Sequence, residues 1–72
     1  MSKRVGVENK PIIGQFIIKK LENANETQEW LAEQCGVTRG QINHIVCGRS
    51  NPSLPLLFRI CKILDIDVNL LF

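Results

Sequence analysis

Residues 39–46, RGQINHIV, gather polar side chains whose hydrogen-bonding groups match the edges of nucleic-acid bases. If the aliphatic residues of this segment face a core, four other residues share the opposite face of a helix. An arginine fork can bind O6 and N7 of guanine, and an asparagine amide can bind N6 and N7 of adenine. A histidine can donate or accept, and a glycine lets the backbone approach closely. The candidate base-contact residues are Arg39, Gly40, Asn43 and His44.

Two short helices must position this face. Thr27 is a good N-cap for the first, and Gly36 suits its end because glycine adopts left-handed backbone angles cheaply. Thr38 with Gln41 three residues later forms a capping box, which predicts that the next helix begins at Arg39. Two helices joined by a short turn containing glycine are typical of a helix-turn-helix. The predicted core residues of the pair are Leu31, Ala32, Cys35, Ile42, Ile45 and Val46.

Two longer apolar patterns flank the pair, and both have helical periodicity. The first begins at Pro11, and the second follows an N-cap at Ser53. The segment DIDVNLLF adds a final helical turn, and no alternating strand pattern is found. We therefore expect an all-α, compact bundle of about five short helices. The predicted apolar stripes are Ile13, Phe16, Ile17, Leu21 and Ala24 in the first helix, and Leu54, Leu57, Phe58, Cys61 and Leu64 in the fourth.

Length and composition limit the possible functions. The chain has 72 residues, 44% of them hydrophobic and 22% charged, which suits one small globular domain. The net charge of +2 permits a nucleic-acid partner without requiring one. Residues 1–10 carry Lys3, Arg4 and Lys10 without periodicity, so we predict a flexible basic arm there and a domain at 11–72. The N-terminus has no apolar signal region, which predicts a cytoplasmic protein.

The three cysteines include no CxxC pair, which argues against a disulfide framework and against a zinc knuckle. His44 and Cys47 could share a helix face, but two ligands make a poor metal site. We therefore expect no metal and no cofactor, with the thiols acting as small buried hydrophobic groups. The single histidine lacks a convincing nucleophile or acidic partner, so we do not expect an enzyme.

Taken together, these motifs resemble the Xre/Cro-type helix-turn-helix family of phage and bacterial repressors. The matching residues are TQEWLAEQCGVTRGQI, then Gly48, then NPSLPLLFRICKILDIDVNLLF, and the resemblance runs from about Ile13 to Phe72. It implies a five-helix domain that binds operator DNA, usually as a two-fold dimer. It also implies phosphate contacts at the start of the second helix and in the loop after the third. The candidate phosphate-contact residues are Gln28, Thr38, Gln41, Arg49, Ser50 and Asn51.

The sequence departs from the family pattern in two places. Many relatives carry an internal ion pair at the positions of Leu21 and Val46, which are both apolar here. An ion pair replaced by hydrophobic contact can be neutral or stabilising. The fourth helix and final turn also carry surplus apolar residues, which predicts a partner surface unless the C-terminal turn folds back over them. The candidate dimer-interface residues are Leu56, Ile60, Ile63 and Leu70.

The function predicted from these observations is sequence-specific DNA binding by a transcriptional regulator, a repressor acting by operator occupancy. Its expected partners are double-stranded operator DNA and a second copy of the chain, with no membrane and no small-molecule ligand. The alternative is a protein-interaction module, such as an antitoxin or antirepressor, that uses the apolar surface of the fourth helix.

Overall fold

The computed structural model describes residues 11–71, which form four α-helices and a C-terminal 3₁₀ helix. The prediction of five helices is therefore wrong in its count of α-helices. The last element, Val68–Leu71, has only four residues and forms a single 3₁₀ turn. The described residues contain no strand, and none of their helices combines the length and apolar character needed to cross a membrane. The predicted basic arm lies outside the described residues. The elements are α1 (Ile12–Ala24), α2 (Gln28–Cys35), α3 (Arg39–Cys47), α4 (Leu54–Leu64) and the 3₁₀ helix (Val68–Leu71).

The predicted start of each helix in the helix-turn-helix pair is confirmed by its cap. Oγ1 of Thr27 accepts a hydrogen bond from the backbone N–H of Trp30 at 3.0 Å. At the start of α3, Oγ1 of Thr38 accepts from the N–H of Gln41 at 3.1 Å, and Oε1 of Gln41 accepts from the N–H of Thr38 at 3.0 Å. This reciprocal capping box satisfies two backbone donors that a helix start leaves without partners.

The predicted helix ends are confirmed as well. Gly36 follows α2 with φ of 74°, and Gly48 follows α3 with φ of 83°. Both angles lie in the left-handed region, where a side chain would add strain. At the end of α4, Asp65 adopts similar angles without being glycine, whereas Ser53 caps the start of α4 as predicted.

The core forms where all four helices meet. Ile17 of α1, Leu31 of α2, Ile42 of α3 and Ile60 of α4 are each 0% exposed. The predicted buried residues of α2 and α3 are all confirmed, whereas Ala24 at the end of α1 is exposed. The remaining core residues are Leu21, Ala32, Cys35, Ile45, Val46, Leu57, Cys61, Leu64 and Ile66.

The predicted core stripe of α4 is confirmed for Leu57, Cys61 and Leu64 and is wrong for two other residues. Leu54 and Phe58, predicted to be buried, are 58% and 52% exposed, whereas Ile60, predicted to lie at a dimer interface, is 0% exposed. Both sets have helical spacing, so periodicity could not separate them. The buried stripe is Leu57, Ile60, Cys61 and Leu64.

A glycine in α1 sets how closely that helix approaches α3. A Cβ built on Gly14 would collide with the carbonyl oxygen of Val46. The backbones of α1 and α3 therefore touch at this point, and no side chain fits between them. Leu21 and Val46, the apolar residues predicted to replace an ion pair, are both buried. In the sequence, Gly14 is an isolated glycine inside an apolar helical pattern. A glycine in that setting indicates a close approach of another backbone.

Candidate nucleic-acid interface

The face of α3 opposite the core carries the predicted base-contact residues. Arg39, Gly40 and His44 are exposed, and Asn43 is half-buried. Arg39 is the first residue of α3 and His44 lies in its last turn, so the face runs along most of the helix. Since a B-DNA major groove admits one α-helix, a side-chain row of this kind can reach several base edges at once.

Gly40 has no packing role within the described residues. A Cβ at this position would meet nothing closer than Oγ1 of Thr38, at 3.9 Å. The fold therefore leaves room for a side chain at Gly40, unlike at Gly14. Glycine in a helix lowers stability relative to alanine, so its presence on this exposed face favours a requirement outside the folded chain itself.

Asn43 is held by side chains on both α2 and α3. Its Nδ2 donates to Oε1 of Gln28 at 3.4 Å, across the turn of the helix-turn-helix. Its Oδ1 accepts a weak hydrogen bond from Sγ of Cys47, one helical turn further along α3, at 3.9 Å. The sequence predicted Cys47 to be buried, and this is wrong, because the residue is exposed while Cys35 and Cys61 are buried.

The candidate phosphate contacts flank the exposed face of α3 along the chain. Gln28 is the half-buried first residue of α2, and Thr38 is the exposed residue before α3. Gln41 is exposed, and its side-chain oxygen Oε1 also accepts a hydrogen bond from the hydroxyl of Thr38 at 3.2 Å. Since the capping box uses the carbonyl end of Gln41, its NH₂ end is the group suited to a phosphate oxygen.

The loop after α3 places three further candidates beside the end of that helix. Arg49, Ser50 and Asn51 are all exposed. The backbone N–H groups of Arg49 and Ser50 both donate to the carbonyl oxygen of His44, at 2.8 and 3.4 Å. These bonds tie the start of the loop to the last turn of α3, so that Arg49 moves with the exposed face of the helix.

The predicted dimer-interface residues do not form one exposed surface. Leu56 and Ile63 are half-buried and pack against the core, whereas Leu70 is 59% exposed. Ile60 is a core residue, so its predicted place at the dimer interface is wrong. The large hydrophobic residues that are exposed among residues 11–71 are Ile12, Leu54, Phe58 and Leu70.

An apolar groove of about 320 Å³ lies between the start of α1, the start of α4 and the 3₁₀ helix. Ile12 and Leu54 line it, Leu70 neighbours the lining residue Leu71, and Phe58 follows Leu54 by one turn of α4. None of the lining residues carries a charge. The groove is lined by Pro11, Ile12, Ile13, Asn51, Pro52, Leu54, Leu57 and Leu71.

The chemistry of the cysteines and acidic residues gives no metal site in the described part of the chain. No three His, Cys, Asp or Glu side chains of residues 11–71 are grouped so as to hold a metal ion.

Burial raises the pKa of the Cys35 thiol, and the guanidinium of Arg59 partly opposes this. Burial and the carboxylate of Asp67 raise the pKa of Cys61. Both thiols are therefore neutral and unreactive at neutral pH.

Comparison with known proteins identifies the family. The profile of a family described as helix-turn-helix matches residues 17–71, which includes α2, α3, α4 and most of α1. The chain therefore belongs to the Xre/Cro-like helix-turn-helix family, as the sequence motifs predicted. It is a DNA-binding transcriptional regulator, and proteins of this family are generally not enzymes. No protein of curated function matches the chain.

Proposed function

We propose that this protein is a sequence-specific repressor that binds operator DNA as a homodimer and acts by covering a promoter. The observation that carries the proposal is the polar row on α3, where exposed Arg39 and His44 and half-buried Asn43 lie opposite a buried apolar face. A row of this kind on a rigid helix can enter a major groove without any change in the fold.

Each group of residues has its own role in the proposed complex. Arg39 binds guanine through its fork, and Asn43 binds adenine through its amide. His44 supplies a further donor or acceptor, and Gly40 allows close approach of the helix backbone. The residues that fix the orientation of α3 by contacting phosphates are Gln28, Thr38, Gln41, Arg49, Ser50 and Asn51.

Dimerisation follows from the short reach of α3. Nine residues of helix can contact only about four or five base pairs, and two-fold dimers of helix-turn-helix proteins extend the site to two half-sites about 34 Å apart. The uncharged groove and its exposed neighbours Leu54, Phe58 and Leu70 offer a surface for this. Two copies related by a two-fold axis bury the same patch against itself, so an uncharged lining avoids bringing like charges together. Leu56 and Ile63 contribute at most their exposed edges.

The decisive experiment is selection of bound sequences from a random DNA library, followed by titration at physiological salt. A specific regulator should enrich a two-fold symmetric site and bind it at least about a thousandfold more tightly than random duplex. Transcription in vitro from a promoter that overlaps the selected site should then fall as the protein is added. An increase in transcript would contradict repression, and the absence of an enriched sequence would contradict specific DNA recognition.

A second candidate function is that of a protein-interaction module, such as an antitoxin or antirepressor. It is favoured by the four large hydrophobic residues that this small domain exposes, two of which, Ile12 and Leu54, line one groove. On this alternative, the groove binds a different protein instead of a second copy. Sedimentation of the protein with and without its selected operator separates the two, because a dimer in either state supports the homodimer and a monomer in both supports a different partner.

A further inference from the structure

Cys47 extends the exposed row of α3 by one turn. It follows Asn43 by four residues, as Asn43 follows Arg39, so the three residues lie along one side of the helix. Its thiol lies 3.9 Å from Oδ1 of Asn43, while Nδ2 of the same amide donates to Gln28. The amide of Asn43 therefore has a partner at each end.

The orientation of this amide decides what it can read. Rotation by about 180° about the last side-chain torsion exchanges the oxygen and the NH₂ group with little change of shape. Adenine offers the N7 acceptor and the N6 donor to the major groove, so only one orientation matches it. In the other orientation, Oδ1 would face N7, and two acceptors would repel each other.

Gln28 alone does not select the orientation. Its own amide can turn in the same way, and the Gln28–Asn43 pair would then keep its hydrogen bond with Nε2 donating to Oδ1. Cys47 removes this equivalence, since its S–H is a donor placed at Oδ1. If both amides turned, the thiol hydrogen would face another donor, and the sulfur accepts hydrogen bonds only weakly.

We propose that Cys47 is a positioning residue that holds the Asn43 amide in the orientation that reads adenine. The inference rests on the proposed function, because it concerns the base that Asn43 contacts. Cys47 itself need not touch the DNA. Its effect is confined to the single base pair read by Asn43, whereas a residue that merely supported the fold would affect every position of the site.

The test compares Cys47→Ala with Cys47→Ser on the selected operator and on its single-base variants. Asn43→Ala first locates the base pair that Asn43 reads. Cys47→Ala should then lower the preference for adenine there by about two- to fivefold, a fraction of the roughly tenfold to hundredfold discrimination of a bidentate contact. Cys47→Ser keeps a donor on the same Cβ, although its shorter C–O bond places that donor farther from Oδ1, and should retain more of the preference than Cys47→Ala. The thermal midpoints should match that of the parent, since Cys47 is exposed.

Two results would overturn the inference. One is full adenine preference in Cys47→Ala, and the other is an equal loss of affinity at every base pair of the operator. A parent protein that selects no sequence contradicts the proposed function instead. In free protein, nuclear Overhauser contacts from the Asn43 NH₂ protons to Gln28 report the amide orientation without DNA. These contacts should weaken in Cys47→Ala, and unchanged contacts would contradict the positioning role.

Discussion

Nη1 of Arg59 on α4 donates a hydrogen bond to the carbonyl oxygen of Cys35 at 3.0 Å. Cys35 is the last residue of α2, where helical carbonyls lack partners within the helix and the helix dipole favours a cation. Arg59→Ala should therefore lower the free energy of unfolding by about 1–2 kcal/mol. Lys62→Ala, which removes an exposed cation from the same helix, should change it by less than about 0.5 kcal/mol. Urea unfolding of both variants measures the difference, and equal effects would contradict a specific role for Arg59.

The two glycines Gly14 and Gly40 should respond oppositely to replacement by alanine. Gly14→Ala forces a Cβ into the carbonyl of Val46 and should destabilise the protein by about 3 kcal/mol. Gly40→Ala adds a side chain in open space within a helix and should stabilise it by about 0.5–1 kcal/mol. Operator affinity should nevertheless fall in Gly40→Ala, as the backbone can no longer approach the DNA. A stabilised Gly40→Ala with unchanged affinity would place Gly40 away from the interface.

Arg39 and Arg49 should differ in how they affect DNA binding. Arg39→Ala should cost about 1–3 kcal/mol on the selected operator and relax the preference at one base pair. Arg49→Ala should weaken binding to operator and random duplex alike and reduce the slope of log affinity against log salt by about one. Titrations at several salt concentrations separate these outcomes. If both variants lost affinity equally on all sequences, α3 would not carry the base readout.

Replacing Phe58 or Ile63 of α4 by glutamate should have different effects on folding and on dimerisation. Phe58→Glu places a charge on an exposed residue, so the domain should stay folded while the dimer dissociates. Ile63→Glu places a charge on a half-buried residue that packs against the core and should cost about 1–3 kcal/mol of stability. Sedimentation and thermal unfolding of the two proteins test this. A Phe58→Glu protein that still dimerised would move the interface elsewhere.

The buried thiols predict how stability depends on pH. Cys35 and Cys61 have pKa values raised above 9.0 in the folded protein, so the folded state holds its thiol protons more tightly than the unfolded chain. Their contribution to stability is complete below pH 9.0 and is lost as the pH rises through the folded pKa values. The fall in unfolding free energy between pH 8 and pH 10 should therefore be smaller in the Cys35→Ala, Cys61→Ala double variant than in the parent. An equal fall in both proteins would contradict the assignment to these thiols.

Helix boundaries were the most predictable part of the fold, and this has a local cause. Caps such as Thr27, Thr38 and Gly36 act through backbone groups within about four residues of themselves, so the sequence nearby contains the whole interaction. The buried residues of α2 and α3 were also predicted correctly, because each of these short helices has a single apolar face.

The apolar residues of α4 were harder to place, because that helix has apolar side chains on more than half its circumference. Leu54 and Phe58 fit one helical stripe, and Ile60 fits another. Only the position of the other helices decides which stripe is buried. The contacts of Asn43 with Gln28, 15 positions away, and of Arg59 with Cys35, 24 positions away, depend on how the helices pack. No local pattern could have predicted them.

The apolar groove has a consequence for the topology of the domain. It is lined by both Pro11 and Leu71, so the start of α1 and the end of the 3₁₀ helix border the same groove. In a shortened protein of residues 11–71, these two positions could be joined by a linker, and new ends could be opened at an exposed turn. The turn between α1 and α2 is exposed from Asn25 to Thr27 and carries none of the residues proposed to read DNA bases. A circular permutant of residues 11–71 opened there should keep the four-helix packing and leave α3 uninterrupted.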